Sequence, residues 1–437
     1  MARTDQIELN AWLNSSGAAD DSWLAPDKPL GRIFTLEHYE HAARIARRGV
    51  FSNLFLSDRP QLIISEQERP EHILDPVALI SALLSRVPDI GGVITSSTTY
   101  NDPYTLARQV QSANLLSGGR VGWNIVTSWN PAIADNYTAA GLPSRAERYA
   151  RAFEFVEVVT RLWESWHFPW TEADRRPGEP YYGTPAAIGH AGTYFNVKGP
   201  LNVPLGPTGR PFIVQAGGSD EGIRLAARYA DLVYAARSSR EGTKAFRAHL
   251  HDTARGYGRT VLPRVVAAIS PIIVSTEAEA DAQRRQFAEE LVPSAADEVR
   301  IARTVGIDPA RTDRTRRLTA EDFQPIGESI VPLGVVRAKI RLALDRGFSL
   351  AELARHEIQP SLIGTPRQVA DFVLDWWLDE AVDGFTVSPN RLPEDLELFV
   401  DQVVPLLQDT PYYASSYEER RARQAGLPAV QRVAQTF

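Results

Sequence analysis

Short apolar runs alternate with stretches whose apolar residues recur at helical spacing along most of the chain. This is the pattern of repeated βα units, with strands buried on both faces and helices carrying one apolar stripe. Eight runs read as strands: Ile7–Leu13, Val50–Leu56, Gly92–Ser96, Arg120–Thr127, Pro211–Ala216, Asp231–Ala236, Val265–Val274 and Gly384–Val387. Helices are predicted over 37–48, 76–86, 103–116, 145–166, 219–229, 241–257, 366–378 and 392–407. Pro76 and Pro103 stand where a first helical turn tolerates proline. Eight parallel strands closing on themselves give the simplest architecture, an α/β TIM-type (β/α)8 barrel. The reading is a single barrel domain over 1–437 with insertions at about 128–210 and 280–360. Residues 167–210, rich in Pro, Gly and Tyr, are expected to pass over the barrel mouth. Residues 280–360 are charged and largely helical, without a convincing strand. The Arg- and Glu-rich tail from Ser415 reads as a dimer arm or a solvated end.

Composition narrows the chemistry. The chain has no cysteine, which excludes disulfides, thiolate metal sites, iron–sulfur clusters and cysteine nucleophiles. A net charge of -7, with both signs mixed, lacks the basic stripe of a nucleic-acid binder. No apolar run reaches the roughly 18 residues of a membrane span, and the first residues carry no apolar signal core. A cytoplasmic protein with no membrane or nucleic-acid partner is expected.

In such a barrel the ligand site lies at the C-terminal ends of the strands. Ser57 and Asp58 follow the second strand, and Thr95 to Thr99 end the third. Asn124, Thr127, Ser128 and Trp129 end the fourth, and Gly217, Gly218 and Ser219 follow the fifth. This rim is rich in neutral hydrogen-bonding groups and lacks the clustered His and carboxylates of a metal site. Amides and hydroxyls suit an uncharged heteroaromatic system such as an isoalloxazine. The same Ser and Thr residues also serve as turn residues and helix caps. Asp58 would project into the mouth to orient a ligand, or pair with Arg59.

The stretch Gln215-Ala-Gly-Gly-Ser-Asp-Glu-Gly222 reads as a strand, a glycine turn and a helix start, with Ser219 as N-cap. It could bring backbone N–H groups to an anion, although Asp220 and Glu221 would repel a phosphate that they faced. It matches neither G-x-G-x-x-G nor a P-loop. Arg145 and Tyr149, at i, i+4, share a helix face and form either a phosphate clamp or an ordinary surface pair. His190 could line the pocket, but it reads, like the other histidines, rather as a surface or structural residue. Trp123, Trp129, Trp163, Trp166 and Trp170 suit an aromatic cavity or a packed lid. A TIM-barrel glycosidase would need two facing carboxylates, which cannot be placed.

Several motifs, in order, resemble one family. Ser117-Gly-Gly-Arg-Val-Gly-Trp-Asn-Ile-Val-Thr-Ser128 and Glu147-Arg-Tyr-Ala-Arg-Ala-Phe-Glu-Phe-Val-Glu157 resemble signatures of the nitrilotriacetate monooxygenase group, within the bacterial luciferase-like superfamily. Tyr194-Phe-Asn-Val-Lys-Gly-Pro-Leu-Asn202 and Arg210-Pro-Phe-Ile-Val-Gln-Ala-Gly-Gly-Ser219 extend the resemblance, which covers nearly the whole chain. It implies a (β/α)8 barrel that takes reduced FMN from a separate flavin reductase and uses O2 to oxygenate a small organic substrate. It also implies FMN contacts from Asp58, Thr95, Asn124, Tyr149 and Ser219, and a homodimer or homotetramer. Relatives often carry His where this chain has Arg145, and Ala or Ser where it has Gly218; Arg keeps a phosphate-binding cation. Residues 280–360 match least, which marks them as a region that could select substrate. The rival readings are a deazaflavin-dependent oxidoreductase of the same superfamily and a non-catalytic flavin-binding barrel.

Overall fold

A computed structural model describes residues 6–19, 22, 29–65, 68–71, 74–138, 140–167, 184–206, 208–235, 239–290, 293, 295–324, 333–358 and 362–425. Eight strands close a barrel in chain order: β1 (Glu8–Trp12), β2 (Asn53–Leu56), β3 (Gly91–Ser97), β4 (Val121–Val126), β5 (Phe212–Gln215), β6 (Leu232–Ala235), β7 (Arg264–Ile269) and β8 (Gly384–Val387). Every neighbouring pair is parallel, and β1 closes the ring against both β2 and β8. All eight predicted strands are present. The seventh is shorter than the apolar run suggested. It leaves the barrel after Ile269, and Pro271–Ile273 pairs instead with Leu362–Gly364 outside the ring.

The covering helices are α1 (Leu36–Arg48), α2 (Pro76–Arg86), α3 (Pro103–Leu116), α4 (Arg145–Trp163), α5 (Asp220–Tyr229) and α6 (Arg240–Gly256). The chain continues with α7 (Glu277–Glu290), α8 (Ala295–Val305), α9 (Leu333–Arg346), α10 (Leu350–Ile358), α11 (Pro366–Leu378), α12 (Glu394–Gln402), α13 (Val404–Gln408) and α14 (Tyr417–Ala425). Their starts follow from local chemistry. Asp75, Asp102, Ser144, Ser219 and Thr365 each accept a backbone N–H of the first turn. The predicted closing helix is broken in two at Val403, two residues before Pro405, which supplies no N–H to continue the α12 ladder.

Alternation along the strands sends one set of side chains inward. Phe55, Val93, Phe212, Val214, Leu232, Tyr234 and Val266 fill the barrel axis, separately from the larger core between strands and helices. On β1, β2 and β8 the inward positions Asn10, Asn53 and Thr386 are polar. Asn10 is the register partner of both Asn53 and Thr386, and all three are buried. Beneath them Glu8 pairs with Arg264 at 2.6 Å.

Two predicted segments sit elsewhere than expected. The described part of 167–210 does not cross the mouth. It lies along the outer helices, where Gln111 of α3 donates to the Pro204 carbonyl, and Asn114 to that of Gly209. Glu154 of α4 accepts the N–H groups of Thr193, Tyr194 and Phe195. Those backbone groups need partners, and a helix flank rich in Glu, Gln and Asn supplies them. The tail is not a free end over its described residues. Tyr413 and Tyr417 donate to carbonyls of Gly49, Val50 and Phe51, and Arg420 to Ser52 Oγ, sealing the N-terminal end of the barrel. Residues from α8 to α10 carry a small core of their own, around Ile301, Val305, Leu350 and Leu353.

Candidate active site

The C-terminal ends of the strands surround a cavity of about 270 Å³. All seven predicted site residues line it: Asp58, Thr95, Asn124, Arg145, Tyr149, Gly218 and Ser219. They come from the ends of β2, β3, β4 and β5 and from the first two turns of α4. Separate segments therefore converge on one space, as barrel topology requires of residues that follow different strands.

The floor is set by strand register. Thr95 and Asn124 are Cα partners on β3 and β4, so both side chains point inward at one level. Asn124 Nδ2 donates to Thr95 Oγ1 at 3.0 Å. The other end of the amide, Asn124 Oδ1, is buried and has no hydrogen-bond partner among the described residues. Leaving such an acceptor dry costs about 1–3 kcal/mol, so it marks a position where a donor on a bound molecule is favoured.

The wall on the β5 side is a capped helix start. Ser219 Oγ accepts the Gly222 N–H at 3.1 Å, the N-cap bond expected from the sequence, and donates to Tyr149 Oη at 3.3 Å. Gly222 permits that approach: a Cβ there would stand 3.2 Å from the Tyr149 hydroxyl. Arg145, one turn before Tyr149, lines the same wall, so the i, i+4 pair shares a working face. The carboxylate of Asp220 turns away and pairs with Arg337 of α9 at 2.9 Å. The wall thus presents hydroxyls and a guanidinium, and the anticipated repulsion by Asp220 is directed elsewhere.

Asp58 lies opposite. Burial pushes its carboxyl up to about 6, the charge of Asp75 pushes the same way, and a backbone hydrogen bond from Arg59 partly offsets both. It is a carboxyl able to change charge near neutral pH at the edge of the cavity.

Several residues take the structural alternative rather than the cavity-lining one. Ser96, Ser97, Thr98, Thr99 and Ser128 do not line the cavity. They pin one strand-end loop to the next through Ser97–Ser128 (2.7 Å) and Thr99 Oγ1 to the Thr127 carbonyl (2.7 Å). His190 sits on the outer face, bonded to Glu154 at 3.0 Å and Arg161 at 3.2 Å. Of the five tryptophans, Trp129 lines the cavity. Trp123 points outward from β4 and packs edge-on against Trp163, both fully buried, while Trp166 donates to the Leu201 carbonyl. Trp170 lies outside the described residues. Gln215 and Arg148 line the cavity without having been singled out. Their signals were modest: Gln215 is the one polar residue of a buried strand, and Arg148 is three residues past Arg145. No group of three or more His, Cys, Asp or Glu residues placed to hold a metal occurs among the described residues. No helix among them is long and apolar enough to cross a membrane.

Comparison with known proteins gives this cavity a chemical context. The chain is 33% identical over 433 residues to N-acetyl-S-(2-succino)cysteine monooxygenase of Bacillus subtilis (strain 168), covering 97% of each protein. It is 34% identical to nitrilotriacetate monooxygenase component A of Aminobacter aminovorans, covering 96% of this chain and 95% of that one. Among solved structures, EDTA monooxygenase from Chelativorans sp. BNC1 superposes with a TM-score of 0.80 at 45% identity, over 97% of this chain and 99% of that one. Residues 37–379 match the family described as luciferase-like monooxygenase. With most of its length so matched and with a closed parallel barrel, the chain belongs to the luciferase-like monooxygenases, oxidoreductases that incorporate oxygen.

Proposed function

We propose that the chain is the oxygenase component of a two-component system, taking reduced FMN from a separate flavin reductase and using O2 to oxygenate a small amine, sulfone or heteroaromatic compound. The observation that carries this reading is the convergence of seven polar or glycine positions on one cavity whose floor presents Asn124 Oδ1, buried and without a partner among the described residues. The donor set fits the cofactor. An amide and a hydroxyl at the floor match a ring edge with N–H and carbonyl groups, and Arg145, Tyr149 and Ser219 match a phosphate. Bound there, reduced FMN would supply the electrons for dioxygen activation.

The protein's own contribution is positional. Asn124 and Thr95 would hold the ring edge by hydrogen bonds, the buried Asn124 Oδ1 gaining a donor there. Arg145 neutralises phosphate charge, while Tyr149 and Ser219 orient it. Asp58 is positioned to hold or release a proton at its carboxyl at the cavity edge. Trp129 and Leu142 add apolar wall that excludes water, which limits unproductive release of reduced oxygen.

Oxygen uptake with a generic flavin reductase, FMN and NADH tests the reading. FMN-dependent product formation with at least one amine, sulfone or heteroaromatic substrate is expected. Absence of reduced-FMN binding would overturn the assignment, and turnover with a reduced deazaflavin alone would favour a hydride enzyme instead.

A further inference from the structure

A second cavity, of about 400 Å³, lies between α5, α6 and α9 and meets the first at Gly218. Its lining combines apolar and cationic groups. Ile223 and Phe246 form an apolar side, and His249, Arg337 and Arg341 bring polar and charged groups to it. Arg337 and Arg341 are one turn apart on α9, so they share a face. Arg337 is neutralised by Asp220 at 2.9 Å. Arg341 also lines the cavity, is solvent-exposed, and makes no ion pair or hydrogen bond with another described residue. The cavity therefore carries one uncompensated positive charge beside an apolar wall, next to the turn proposed to hold a phosphate.

We propose that this second cavity is an anion-binding compartment that takes a carboxylate- or phosphate-bearing small molecule, with Arg341 as its principal charge partner and Ile223 and Phe246 covering the ligand's apolar part. Two sources share that chemistry: the adenylate half of a flavin dinucleotide extending past Gly218, or an anionic arm of the substrate. Anion binding itself does not depend on the flavin reading; its role beside a flavin does.

Isothermal titration of the full chain separates these possibilities. Adenosine 5′-monophosphate and tricarballylate serve as probes, and neutral adenosine as control. At least one anion should bind, more weakly in high salt, while adenosine binds less well. Arg341→Ala should weaken that binding on the order of tenfold, while FMN affinity, followed by flavin fluorescence, stays unchanged. Selective binding of the monophosphate assigns the compartment to a dinucleotide tail, and selective binding of tricarballylate assigns it to substrate. The proposal is overturned if neither anion binds at about 10 mM, or if Arg341→Ala binds as the parent does. Loss of FMN binding in the parent chain would count against the flavin reading alone.

Discussion

Asn124→Ala separates a residue that serves a ligand from one that serves the fold. Among the described residues the amide makes one side-chain hydrogen bond, to Thr95, and its buried oxygen has no partner. A neutral hydrogen bond contributes about 0.5–1.5 kcal/mol net, and an unmet buried acceptor costs about 1–3 kcal/mol. The two nearly cancel, so removing the amide should change stability by no more than about 1 kcal/mol, even with a small cavity left behind. Ligand binding should respond differently. With FMN bound, the variant loses the floor contact and leaves a ring-edge group of the ligand unpaired, a loss of about 1.5–3 kcal/mol. That corresponds to roughly 10- to 150-fold weaker binding. Anaerobic titration of reduced FMN measures the affinity, urea unfolding measures the stability, and peroxide released per O2 consumed measures coupling. A variant several kcal/mol less stable, yet with parental affinity and coupling, would refute the reasoning and make Asn124 a structural residue.

Three further outcomes follow from the geometry. The Asp58 carboxyl, raised to about 6 from its ordinary 3.8, binds its proton more tightly in the folded than in the unfolded chain. Its contribution to stability is therefore fully present below the ordinary value and is lost as pH rises towards 6. The stability of Asp58→Asn relative to the parent should rise across pH 4–6 and then level off; a flat difference in pH-resolved urea unfolding would remove Asp58 as a titrating group. Gly384→Ala would place a Cβ 1.9 Å from the Glu8 carbonyl oxygen at the β1–β8 seam, which only backbone displacement can relieve. A loss of about 3 kcal/mol or more is expected, and an unaltered melting temperature would contradict the register. Glu8→Leu should cost about 3 kcal/mol by removing the buried carboxylate that offsets the charge of the half-buried Arg264, with Arg264→Met in the same chain recovering a measurable part; calorimetric melting of both chains is the check.

Much of the fold was legible because a parallel barrel writes itself locally. A strand covered on both faces is apolar along most of its length, as in Phe212–Val214, and the helix after it needs a cap, as Ser219 provides. Where legibility failed, the missing information was non-local. Val265–Val274 is one apolar run, but its second half finds a different partner strand, and no periodicity encodes that exchange. The Pro- and Gly-rich segment near 190–206 announces a loop without saying where it lies; Glu154 and Gln111, far away in sequence, settle it against the outer helices. The tryptophans misled for the same reason, since alternation turned Trp123 away from the axis and Asn124 towards it.

The sequence by itself determined the number and order of βα units and the polar character of the strand ends, because both arise from hydrophobic period and capping chemistry within a few residues. Only the tertiary structure decided which strand-end groups meet. Ser97 and Thr95 are equally polar on paper, yet one ties two loops together and the other faces the cavity with Asn124. Alternation puts both on the same face of β3, so their different places along the strand, and the segment that meets each, decide between them; a cavity between separate segments exists only after the ring has closed.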